Sequence, residues 1–115
     1  MSKLEKTFQT KLKRYLETKS YVVKFNASGI SKVGVPDILC CYKGLFVGIE
    51  CKKEDGEISN IQQWNINDIR KNGGFGVCIR SDQFNEFINF FENENWEGIG
   101  GLSLENEKEI EKIIS

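Results

Sequence analysis

Residues 33–53 read VGVPDILCCYKGLFVGIECKK and set Asp37, Glu50 and Lys52 among valines, isoleucines, leucines and cysteines. The apolar runs over 37–42 and 45–52 predict two strands, with Lys43-Gly44 as a two-residue hairpin turn between them. With that turn, 42 opposes 45 and 41 opposes 46, and continuing the count sets Asp37 opposite Glu50. Facing residues hold their Cβ atoms about 4.5–5.5 Å apart, and like charges so placed repel. Lys52, two residues past Glu50, leaves the same face roughly 6.7 Å further along, whereas Cys51 points to the other face. Charges in an apolar setting are costly unless something pairs with them. Two opposed carboxylates call for a cation. It is either the Lys52 ammonium, in a structural ion-pair cluster, or a hard dication such as Mg²⁺, which uses one or two carboxylates and keeps several waters.

Around the hairpin the pattern is that of one α/β domain. Residues 3–18 place Leu4, Phe8, Leu12, Tyr15 and Leu16 at helical spacing, and 21–25 (YVVKF) reads as a strand. A polar loop over 26–34 leads to Pro36, at a strand start where its missing N–H does least harm. A second amphipathic helix is expected over 58–71, closed by Gly73-Gly74. A short buried strand follows at 75–79, then a helix at 82–91. Residues 92–101 (ENENWEGIGG) read as turns and 103–115 as a short acidic helix. The expected order is α-β-β-β-α-β-α on a mixed sheet, with 1–91 as the domain proper. Residues 92–115 form an acidic segment that docks on the domain or on a second subunit.

Composition narrows the chemistry. The 115 residues include no histidine, which removes Ser-His-Asp and Cys-His schemes and every His-ligated metal site. Cys40, Cys41, Cys51 and Cys78 lack CxxC spacing and lie among aliphatic residues, as reduced core thiols of a cytoplasmic protein do. No apolar run approaches the roughly 20 residues of a membrane span, and no signal peptide is evident. The net charge is −1, yet residues 1–53 carry 11 Lys/Arg against 4 Asp/Glu, and residues 54–115 carry 5 against 13. Such segregation can give a near-neutral protein one basic face for a polyanion.

Pro36-Asp37 followed by Glu50-Cys51-Lys52 has the form PD-x(12)-ExK and resembles the PD-(D/E)XK nuclease superfamily. GVPDI, a short hairpin, GIECKK and then ISNIQQW at a helix start are similar to the VRR-NUC family, whose small members are stand-alone viral and bacterial nucleases. The likeness spans about residues 4–80. It implies a restriction-endonuclease-like fold and a Mg²⁺-dependent DNA endonuclease, with Mn²⁺ as a substitute, in a bacterial or phage-infected host cytoplasm. Asp37 and Glu50 would ligate the metal with the Cys51 carbonyl, and Lys52 would orient or help deprotonate the attacking water. Gln62 matches the family's helical glutamine, and its offsets from Ile58, Ile66 and Ile69 suggest an inward face. Glu5 matches an acid that relatives cutting branched DNA carry in the first helix. Lys3, Lys6, Lys11, Lys13, Lys24 and Lys32 would hold phosphates without reading sequence. Branched DNA, such as flaps or Holliday junctions, is then the expected partner, met by a homodimer. The competing readings are a non-catalytic DNA-binding module on the same fold, and a structural domain in which Asp37, Glu50 and Lys52 neutralise one another.

Overall fold

A computed structural model describes residues 3–23 and 32–110. Helix α1 (Lys3–Glu17) leads into β1 (Tyr21–Val23), and the hairpin is β2 (Ile38–Tyr42) with β3 (Leu45–Lys52). Lys43 and Gly44 both take positive φ, 48° and 87°, which is the backbone a two-residue I′ turn needs. The register is the one the turn dictates: Tyr42 faces Leu45, Cys41 faces Phe46, and Ile38 faces Ile49. Helix α2 (Asn60–Lys71) then carries the chain across to β4 (Phe75–Arg80). Among the described residues the strands form one sheet in the order β1-β2-β3-β4, with β4 parallel to β3 and the other pairs antiparallel. The mixed α/β sheet expected from the sequence is therefore present. The expectations for Lys24, Phe25, the loop to Ser31 and residues 111–115 lie outside the described residues.

Alternation along β3 sorts its side chains into two layers. Val47, Ile49 and Cys51 join Val77 and Ile79 of β4 against Phe8, Leu12 and Leu16 of α1, making the main core. At roughly 1.5–3 kcal/mol for each large apolar side chain fully buried, that layer holds α1 on the sheet. On the other face α2 lies close because glycines leave room. A Cβ at Gly48 would come within 2.8 Å of Ile69, and one at Gly76 within 2.8 Å of the Ile66 backbone. Glu50 and Lys52 belong to this α2 face, beside Cys78, which packs with Ile58 and Ile66.

The segment after residue 80 differs from expectation. A 3-10 turn (Ser81–Gln83) precedes α3 (Phe84–Glu92), and the stretch expected to be turns is largely α4 (Trp96–Leu104). Gly98 serves packing, not turning: a Cβ there would sit 2.8 Å from the Phe90 ring, and Asn95 caps the helix by accepting from the Gly98 N–H. The acidic helix expected from residue 103 is not formed over 105–110, since α4 ends at Leu104; Asn106 and Glu107 are held instead by side-chain bonds. Ile99 and Ile110 are buried against the chain's own domain. β4 is an edge strand, and side chains complete its outer edge: the Cys78 N–H donates to Ser103 Oγ (2.8 Å) and Asn106 Nδ2 donates to the Cys78 carbonyl (2.8 Å). Arg70 grips Glu107 with both Nη atoms, at 2.6 and 2.7 Å. Among the described residues, no helix is long and apolar enough to cross a membrane.

Candidate functional site

The site is built where the hairpin becomes uneven. β2 begins at Ile38, while β3 runs on to Lys52, so the far end of β3 has no strand rung on its β2 side. Asp37 supplies the next rung with its side chain, Oδ2 accepting from the Cys51 N–H at 2.9 Å. A residue's N–H and C=O leave a strand on the same side, so the Cys51 carbonyl also faces the space beside Asp37. Glu50 is 2% exposed, and its Oε1 is buried with no hydrogen-bond partner. Its Oε2 lies 3.8 Å from Lys52 Nζ, whose side chain is 14% exposed.

The electrostatics follow from that burial. Desolvation first, then the Asp37 charge and a hydrogen bond to Asp37, push the Glu50 carboxyl up to about 9, against the pull of Lys52. The Glu5 charge raises it further, so α1 does bring its acid to this end of the sheet from the other layer. Burial pushes the neighbouring Cys78 thiol up to about 12, with Glu50 adding to the rise and Lys52 and Arg80 opposing it. The Cys51 thiol is likewise raised by burial and is unreactive as a nucleophile.

Asp37, Glu50, Cys51 and Lys52 therefore converge at the end of β3, and Glu5 acts on Glu50 through its charge. Gln62 does not take the inward position expected of it. As N3 of α2 it closes a capping box, its Oε1 accepting from the Ser59 N–H at 2.9 Å while Ser59 Oγ accepts from its own N–H. The fully buried glutamine is Gln63, which bonds to Asn67, Glu107 and the Lys108 N–H. The lysines other than Lys24, which lies outside the described residues, differ in their surroundings. Lys3, Lys6 and Lys11 are exposed along α1, but Lys11 leans over the Phe84 ring at 4.3 Å. Lys13 is half-buried, and Lys32 lies 5.5 Å from the Trp64 ring centroid.

Among the described residues no three His, Cys, Asp or Glu side chains cluster as a metal cage. Two carboxylates and a backbone carbonyl nevertheless suit Mg²⁺, which takes the rest of its shell from water. The orphaned Glu50 Oε1 is the atom such an ion would satisfy. One residue at this end escaped the sequence reading: Arg80, which the parallel register sets beside Lys52. An open cleft of about 1060 Å³ adjoins it, lined by Leu4, Lys53, Arg80 and Ser81 together with Glu54, Asp55, Glu57 and Asp82.

No family model matches the sequence, and no curated protein does. Among solved structures the chain is similar to one named VRR_NUC domain, at 24% identity and a TM-score of 0.62, covering 76% of this chain and 97% of the other. A second, named VRR_NUC domain protein, matches at 17% identity and a TM-score of 0.61, covering 81% and 88%. The chain has the fold of these VRR_NUC structures, consistent with the restriction-endonuclease-like architecture that the resemblance implied.

Proposed function

We propose that the chain is a VRR-NUC-type, metal-dependent DNA endonuclease that hydrolyses phosphodiester bonds and selects branched substrates such as flaps and Holliday junctions. The observation that carries this reading is Glu50: a buried carboxyl with an orphaned oxygen, set against Asp37 and within 3.8 Å of Lys52. The ion pair with Lys52 reaches only Oε2 and leaves Oε1 without a donor when Glu50 is ionised. Asp37 and Glu50 would hold Mg²⁺, or Mn²⁺ in its place, with the Cys51 carbonyl as a third protein ligand. Such an ion lowers the pKa of water and offsets phosphate charge.

The chain's own residues do the remaining work. Asp37, fixed by the Cys51 N–H through Oδ2, keeps its other carboxylate oxygen free of that bond. Lys52 presents a fixed positive charge where negative charge develops on the phosphate, a preorganised contact worth more in a half-buried site than in water. Glu5 contributes a third acid from α1. Gln62, with its Oε1 committed to the cap, has only its amide N–H groups to offer a phosphate oxygen. Lys3, Lys6, Lys13 and Lys32 would hold flanking phosphates, and a homodimer would present two such sites to the strands of a branch.

Incubating linear, flapped and four-way-junction DNAs with Mg²⁺, Mn²⁺ or EDTA tests the reading, with light scattering for the oligomer. Cleavage of branched DNA in Mg²⁺ or Mn²⁺ and none in EDTA is expected. Binding without product in either metal would overturn the enzyme and leave a DNA-binding module. A monomer in the presence of DNA would end the dimer proposal.

A further inference from the structure

Two carboxylates brought together at one end of β3 ask for a cation; two cations are brought together just beyond them. Lys52 of β3 and Arg80 of β4 are register partners on adjacent parallel strands, which lie about 4.8 Å apart with paired side chains on the same face. Lys52 has Glu50 at 3.8 Å. Arg80 has no carboxylate partner among the described residues. Its Nη2 donates to a neutral acceptor, the Gly56 carbonyl, at 2.9 Å, and its Nε is buried with no partner. Its backbone is also fixed, since the Arg80 N–H donates to Gln83 Oε1 at 2.9 Å. An unpaired, half-buried guanidinium held beside an ammonium is a costly arrangement for stability alone, and an anion between the two removes the cost.

We infer that Arg80 acts with Lys52 as an anion site for one phosphate of the bound strand, at the mouth of the cleft that Leu4, Lys53 and Ser81 line. The inference rests on the nuclease reading for the identity of its ligand. It adds a substrate contact from β4 to a site otherwise built from α1 and the hairpin. The rest of the cleft lining, Glu54, Asp55, Glu57 and Asp82, is acidic and exposed and repels further phosphates. The strand therefore crosses this point with a single phosphate engaged and does not run along the cleft.

The test is fluorescence anisotropy with a fluorescein-labelled flapped duplex in EDTA, so that binding is read without cleavage, for the parent, R80Q and R80K across a salt series. R80Q is expected to weaken binding several-fold and to reduce the log–log salt slope by about 0.9, the loss of one phosphate contact. R80K keeps the charge and the slope. Unchanged affinity and slope in R80Q would overturn the site. So would a loss of affinity shared equally by R80Q and R80K at constant slope, which is the signature of an arginine that only anchors the 53–57 loop. If circular dichroism shows R80Q unfolded, R80K alone decides: affinity and slope near the parent support the site, and lost affinity at the parent slope overturns it. Failure of the parent to cut DNA in Mg²⁺ or Mn²⁺ strikes the nuclease reading and leaves this binding measurement intact.

Discussion

Replacing Glu50 with glutamine should make the metal-free protein more stable, by an amount that depends on pH in a defined way. In the folded protein the carboxyl is pushed up to about 9 from its ordinary 4.5, chiefly by burial and then by Asp37. Below pH 4.5 both folded and unfolded chains hold the proton, and Glu50 weighs nothing. Between 4.5 and 9 the unfolded chain releases the proton while the folded chain keeps it, so stability falls as pH rises, by about 1.4 kcal/mol per unit. At pH 7 the cost amounts to roughly 3 kcal/mol. A glutamine amide can donate to Asp37 as the protonated acid does, and it carries no such cost. Urea unfolding in EDTA, followed by Trp64 and Trp96 fluorescence, should therefore show E50Q near the parent at pH 4.5, ahead of it by about 2–3 kcal/mol at pH 7, and further ahead at pH 8. Adding Mg²⁺ should stabilise the parent and leave E50Q unmoved. An E50Q protein whose difference from the parent is the same at pH 5 and pH 8 would refute the reasoning, because the group would then be ionised and solvated in the folded state.

Further expectations follow from the same geometry. D37N should abolish cleavage of branched DNA in a gel assay while leaving far-UV dichroism and DNA affinity near the parent; cutting at the parent rate would sink the metal-site reading. K52A should lower turnover by at least about 10²-fold, beyond the several-fold loss of affinity that its share of the phosphate contact with Arg80 entails, and lost affinity with turnover kept would make Lys52 a binding residue only. DNA binding should fall with salt at a log–log slope near −4 to −5, for roughly 4–6 phosphate contacts, and a flat response would remove the α1 lysines from the interface. N106A leaves the Cys78 carbonyl and Gln83 Oε1 without a donor they now share and should cost about 1–3 kcal/mol in urea unfolding. A neutral result there would mean that the C-terminal segment is not held as described.

The hairpin was legible because a two-residue turn leaves register no freedom: once Lys43-Gly44 is recognised, the opposition of Asp37 to Glu50 follows by counting. The partnership of Lys52 with Arg80 was not, since a parallel pair takes its register from how a helix packs between the strands. That packing depends on Gly48 and Gly76 meeting Ile69 and Ile66. Gln62 was misplaced because helical periodicity and capping compete for the same residue. The S-x-x-Q spacing from Ser59 is a capping-box signature, and local bonding won over face. α4 was read as turns because glycine is a poor helix former in isolation, while Gly98 is needed against the Phe90 ring. The net of bonds around Ser103, Asn106 and Glu107 joins residues about 25 to 45 positions apart and left no periodic trace.

The side-chain seal on β4 also sets an order of events for the growing chain. A polypeptide emerges amino end first, so α1 and the β1–β3 meander, which are contiguous in the sequence, can form while the rest is still being made. β4 can then pair with β3 through α2, but the outer rim at Cys78 stays bare until Ser103 and Asn106 have emerged. Through that interval the nascent domain presents an unpaired strand edge, the usual template for unwanted pairing between neighbouring chains on one message. Hydrogen exchange at the Cys78 amide would time the end of that interval, because its protection begins when Ser103 arrives and not when the strand forms.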